Sequence, residues 1–150
     1  MTITPFLWFD TQAAEAMNFY ASIFKRSKVI SVNRAQGRVI SVQFELEGQQ
    51  FMALNAGPHH TFTEAITFFV ACETQREIDE LWTRLTADGG EPSRCGWLKD
   101  KFGLSWQIIP NTLGRLLSDK DPAKTTRTMS AMLQMEKLDL KKLQQAYDGE

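Results

Sequence analysis

The chain is poor in cysteine, poor in histidine and close to neutral. Two Cys and two His among 150 residues leave little material for a disulfide framework or a His/Cys metal cluster. Cys72 and Cys95 stand apart and read as free thiols of a reducing, cytoplasmic compartment. A formal charge of −1 gives no footprint for nucleic acid. No apolar run reaches the roughly 18 residues that a membrane-spanning helix needs. The opening MTITPFLWFD lacks the basic region and long apolar core of a signal peptide. The nine glycines lie singly or as the Gly89-Gly90 pair, so no glycine-rich turn is available to cradle a nucleotide. What the chain does have is aromatic mass. Ten Phe and four Trp in a 43% apolar sequence suffice to fill a core or wall a pocket.

The apolar pattern repeats. Residues 3–9, ITPFLWF, read as a strand, with Asp10 or Thr11 as the N-cap of a helix over about 12–24. Met17, Tyr20, Ala21 and Phe24 form its stripe at i, i+3, i+4, i+7. A shift of 61 residues lays Ile66, Phe68 and Val70 on Pro5, Leu7 and Phe9, and Ile78, Leu81, Trp82 and Leu85 on the helix stripe. Thr74 and Glu77 have the spacing of a capping box, and Gly89-Gly90 close the second helix. After the first helix come three strand-like runs, with turns at Gln36-Gly37 and Gly48. In the run 38–46, Ile40, Val42, Phe44 and Leu46 alternate with Val39, Ser41, Gln43 and Glu45. After the second helix, CGWLKDKFGLSWQIIP (95–110) forms a hairpin about Lys101-Phe102-Gly103. Each half therefore reads β-α-β-β-β.

Beyond Pro110 the pattern becomes helical. Leu113, Leu116 and Leu117 mark a short helix. Asp121-Pro122 starts a second, and Asp139 caps a third carrying Leu140, Leu143 and Tyr147. The Met129, Met132 and Leu133 stripe suits packing or a dimer surface. The expectation is an α+β chain read as one domain over 1–150: module one 1–56, module two 62–110, helical tail 111–150.

This arrangement resembles the vicinal oxygen chelate superfamily, the glyoxalase and bleomycin-resistance fold. NFYASIF (18–24), LNAGP (54–58), AITFFVACETQREIDELWTRL (65–85), CGWLKDKFGLSWQIIP (95–110) and LLSDKDP (116–122) are similar to its PhnB-like branch. So is MSAMLQMEKLDLKKLQQAY, as the tail of its members. That branch often carries a 3-demethylubiquinone 3-methyltransferase label. The resemblance implies two modules whose curled mixed sheets make an open cup, and a homodimer. It also implies metal ligands, in the metalloenzymes, at positions matched here by Pro5, Ile66, Gln107 and, counted from Gly48, Met52. Proline and isoleucine offer no donor and a thioether is a poor ligand for hard divalent ions. A single neutral amide does not hold such an ion. No metal and no cofactor are expected.

The cup should then bind a small, partly apolar molecule directly. Trp97 and Trp106 supply aromatic surface, and Gln107, Asn55 and Ser41 supply hydrogen bonds. His59, in the loop after Gly57-Pro58, reaches the mouth if that loop folds over it; a solvated loop is the plainer reading of His59-His60. Alternation sets Ser105, Gln107 and Ile109 toward the cavity and Leu104, Trp106 and Ile108 beneath the second helix; a register one residue out would turn Trp106 to the cavity instead. Cys72 reads as an inert buried thiol. Two other functions compete: a metal-dependent glyoxalase, dioxygenase or isomerase built on His59 or His60, Asn55 and Gln107, and the methyltransferase of the family label.

Overall fold

Strand β1 (Phe6–Phe9) leads into helix α1 (Ala13–Ile23), and strands β2 (Ser27–Ala35), β3 (Arg38–Leu46) and β4 (Gln49–Asn55) follow. The computed structural model describes residues 1–150. They form two compact units, Met1–Thr61 and Phe62–Glu150. In the first, the sheet order is β1-β4-β3-β2, with β1 parallel to β4 and the other pairs antiparallel. Both hairpins turn on two residues of positive φ, Gln36-Gly37 and Glu47-Gly48. That backbone twist matches the twist of the flanking strands, and glycine adopts it without steric cost.

One face of this sheet is closed by α1. Leu7 and Phe9 from β1, Val42, Phe44 and Leu46 from β3, and Phe51 and Ala53 from β4 are buried with Met17, Tyr20 and Ile23. Phe44 stacks on Phe51 at 5.4 Å between ring centres. Ile40 departs from its expected burial. It is 46% exposed, because it lies near the β2–β3 turn, past the stretch that α1 covers.

The second unit repeats the order. It contains β5 (Phe68–Cys72), α2 (Gln75–Leu85), β6 (Glu91–Pro92), β7 (Trp97–Lys99) and β8 (Ser105–Pro110), in sheet order β5-β8-β7-β6. The Thr74–Glu77 capping box forms as its spacing predicts. Each half is thus β-α-β-β-β. The apolar sequence pattern aligns at a shift of 61 residues, whereas the buried helix positions Ala16, Tyr20 and Ile23 match Ile78, Trp82 and Leu85, a step of 62. The helix stripe is thus one residue out from the sequence alignment: Trp82 takes the place of Tyr20, and Leu81 is only half-buried.

Helices α3 (Thr112–Leu117), α4 (Pro122–Leu133) and α5 (Leu140–Asp148) complete this unit. Asp121 and Asp139 cap α4 and α5 by accepting from Ala123 N and Lys142 N. Ile109, Leu113, Leu116, Leu138 and Leu143 make a second apolar core, joined by Met132, Met135 and Tyr147. Much of the tail stripe is therefore used internally, while Met129 and Leu133 stay exposed. Gln75 fastens the tail to α2: its Nε2 donates to Leu138 O at 3.0 Å and its Oε1 accepts from Leu140 N at 2.8 Å. Arg127 donates to Ala146 O and Tyr147 O, closing the end of α5.

Candidate functional site

The faces that the helices leave open hold the candidate residues. In the first sheet, Trp8, Leu54 and Ser41 lie side by side on β1, β4 and β3. Asn33, paired with Ser41 in the register, donates to its Oγ at 3.0 Å. Trp8 Nε1 donates to Gly57 O at 2.9 Å. The ring of His60 meets the indole edge-on at 4.7 Å and that of His59 at 6.5 Å. The 57–60 loop is therefore pinned to Trp8, with His59 and His60 both exposed. The indole was the missing partner in the sequence reading.

Asn55 is not on that face. It pairs with buried Phe9, its Oδ1 accepts from Ala13 N at 2.8 Å, and its Nδ2 donates to Val39 O at 3.2 Å. The expected cap from Asp10 or Thr11 does not form. Gln12 occupies the N-cap position without a side-chain bond, and Asn55 supplies the acceptor from across the fold. With both ends of its amide engaged, Asn55 is a structural residue.

In the second sheet, Phe69, Gln107 and Trp97 form a row on the open face. Met52, the counterpart of Gln107 when each is counted from its turn glycine, pairs with Phe6 as Gln107 pairs with Phe69. Gln107 is half-exposed, and its Nε2 donates to Thr67 Oγ1 at 2.8 Å. Phe69 is 61% exposed and Trp97 is half-buried. One row along, Ser105 pairs with Lys99 and Lys99 with Glu91. Lys99 Nζ lies 2.9 Å from Glu64 Oε1. That hydrogen-bonded contact holds the Glu64 carboxyl below its usual range and raises Lys99 above its own.

Two more residues expected at the cavity lie elsewhere. Trp106, named as an aromatic wall, is buried under α2, so the alternation that sets it beneath the helix holds. Its Nε1 donates to Asp100 Oδ2 at 2.9 Å. Ile109, expected beside Gln107, is taken into the tail core. Cys72 is buried, and burial, with Glu77 nearby, pushes its thiol up to about 11; it is no nucleophile at neutral pH.

Residues 1–109 match the sequence profile of the 3-demethylubiquinone-9 3-methyltransferase family. The chain belongs to that family, the PhnB-like branch of the vicinal oxygen chelate fold. A PhnB protein of Bacillus cereus is 37% identical over 73% of this chain and 99% of its own, with a TM-score of 0.68. Protein PA1353 of Pseudomonas aeruginosa shares the fold at 17% identity, covering 73% of this chain and 97% of its own, with a TM-score of 0.60. A glyoxalase/bleomycin resistance protein of Albidiferax ferrireducens T118 shares it at 13% identity, covering 71% and 94%, with a TM-score of 0.50. No curated protein matches the chain. The tail helices lie beyond the 1–109 match.

Metalloenzymes of this fold hold a divalent ion on open-face side chains, and the PhnB-like chain does not offer the donors. Pro5 has no side-chain donor and gives its carbonyl to Met52 N at 2.9 Å. Ile66 is aliphatic, and Met52 offers only a thioether, a poor ligand for hard divalent ions. Gln107 is neutral and already bonded to Thr67. Elsewhere, no three His, Cys, Asp or Glu side chains assemble into a group that suits a metal. The residues do not fit the ion.

Proposed function

We propose that this PhnB-like protein binds a small, partly apolar molecule on the open face of its second sheet, by direct hydrogen bonding and without a resident metal. The Gln107–Thr67 hydrogen bond carries this reading. At a ligand position of the fold, the chain has an amide and a hydroxyl that satisfy each other at 2.8 Å. An amide both donates and accepts. It can therefore exchange Thr67 for a ligand carbonyl or hydroxyl at little net cost. Phe69 and Trp97 flank it in the register and provide apolar area for the rest of the molecule.

In this reading the protein sequesters or carries its ligand and needs no nucleophile. It works in the cytoplasm, where its two free cysteines remain reduced. It acts as a homodimer, because Phe6, Ile40, Ile66 and Phe69 leave more large apolar side chains exposed than an isolated chain comfortably carries. Sedimentation at micromolar concentration checks the last point: a dimer is expected, and a monomer contradicts it.

Metal analysis tests the main reading, on protein purified without chelator or metal-affinity tag. Well under one divalent ion per chain is expected. One tightly held ion per chain would overturn the reading in favour of a metal-dependent glyoxalase, dioxygenase or isomerase. The methyltransferase of the family label is a further alternative; binding of a nucleotide-bearing methyl donor, measured by calorimetry, would favour it.

A further inference from the structure

We propose that a cavity beside Ser105 takes a small organic ammonium ion, whose N–H group meets the Ser105 hydroxyl. The proposal rests on the second sheet's open face being a binding surface, and adds the ligand's charge class and a contact residue.

Ser105 is the starting point. It is 2% exposed, and its Oγ is the one buried side-chain polar atom in the chain with no hydrogen-bond partner. Leaving such a group unpaired is costly, and native proteins rarely do so without reason. The hydroxyl sits on β8 opposite Lys99 and lines a cavity of about 110 Å³ shared with Glu64, Glu91, Ser93, Trp97 and Lys99. An engineered cavity of roughly 150 Å³ accepts benzene, so this one suits a short alkylammonium.

The lining decides the sign of the charge. Two carboxylates, Glu64 and Glu91, face one ammonium, Lys99. The wall is net negative, and an entering cation gains where an anion loses. Glu64 and Lys99 form an ion pair with side chains 62% and 38% exposed. Such an exposed pair is worth little and parts readily, so an incoming ammonium can replace Lys99 at the Glu64 carboxylate. The indole of Trp97 attracts a cation over its face. Pro92 and Leu98 complete the lining and offer apolar surface to an alkyl chain. The Ser105 oxygen, which can accept, then gains the donor that it lacks.

The test uses the full chain, three probes of similar size and ¹H–¹⁵N NMR titration at the Trp97 indole N–H and the Ser105 amide. The probes are n-butylammonium, 1-butanol and butyrate. Saturable shifts with n-butylammonium are expected, with 1-butanol at least fivefold weaker and butyrate weaker still. Ser105→Ala and Glu91→Gln should each weaken n-butylammonium at least fivefold. Ser105→Ala should leave the melting temperature unchanged or raised, because it removes an unpaired group. Equal binding of 1-butanol, or preference for butyrate, overturns the ammonium assignment and leaves the binding face standing. Silence of all three probes at Trp97 while Gln107 responds to neutral carbonyl compounds overturns the cavity alone. Silence at both counts against the open-face reading as well. A lowered melting temperature in Ser105→Ala would mean that the hydroxyl has an internal partner, and would also overturn the proposal.

Discussion

Trp106 donates its indole N–H to Asp100 Oδ2 at 2.9 Å, with both residues only 2% exposed. The other carboxylate oxygen accepts from Phe102 N at 2.9 Å and Leu104 N at 3.1 Å. One buried carboxylate thus shapes the β7–β8 turn and anchors a core tryptophan beneath α2. Asp100→Ala strands three donors. The expected loss is about 3 kcal/mol or more, by the usual cost of breaking a buried charged hydrogen-bond set. Urea unfolding measures it. A loss near zero would mean that Asp100 is not the organiser of this segment.

Gly96 tests how tightly the tail is seated. Its φ is +84°, and an added Cβ would lie 2.8 Å from Ile109 Cδ1, 2.9 Å from Ile108 O and 3.1 Å from Leu138 Cδ1. Gly96→Ala combines left-handed strain with overpacking where β8 meets the tail. A destabilisation of about 2–3 kcal/mol is expected. A melting temperature equal to that of the unmutated protein would contradict the close approach.

Cys72 predicts a pH dependence. Burial raises its pKa from 9.0 to about 11, so the folded state favours the neutral thiol. Between these values the folded chain binds more protons than the unfolded one, and stability falls as pH rises. The contribution is fully present below pH 9 and is lost as pH passes 11. Chemical denaturation from pH 8 to pH 11 should show this decline, and Cys72→Ala should flatten that part of it. An unchanged slope in the variant would refute the assignment.

Much of the fold was legible because it is written in local chemistry. The Thr74–Glu77 box, the Asp121 and Asp139 caps and the Gln36-Gly37 turn each depend on residues within four positions of one another. Period-2 and period-3.6 patterns then fixed which faces are buried. The site was legible in part. Alternation placed Gln107 on an open face and Trp106 in the core, but it could not show that Asn55 spends its amide on the start of α1, 42 residues away in sequence. Nor could it show that the tail covers Ile109. Each of these is set by a contact distant in the chain, to which local periodicity is blind. Asp100 carried no signal beyond its place in a turn, because a buried carboxylate and a solvated one look alike in sequence.

Gln107→Leu separates ligand recognition from folding. It removes donor and acceptor at similar size and releases Thr67, whose hydroxyl can turn to water. Ligand affinity should fall by about 1–2 kcal/mol, roughly tenfold, with little change in melting temperature. A sharp drop in melting temperature with affinity unchanged would make Gln107 a structural amide.

The most direct measurement observes the side-chain amide of Gln107 itself by ¹H–¹⁵N NMR, titrated in parallel with neutral carbonyl or hydroxyl compounds and with Mn²⁺. The account predicts that the compounds shift this resonance saturably, and that one equivalent of the paramagnetic ion leaves it sharp. Broadening of Gln107 and its neighbours beyond detection at one equivalent of Mn²⁺, with no response to the neutral compounds, would contradict it.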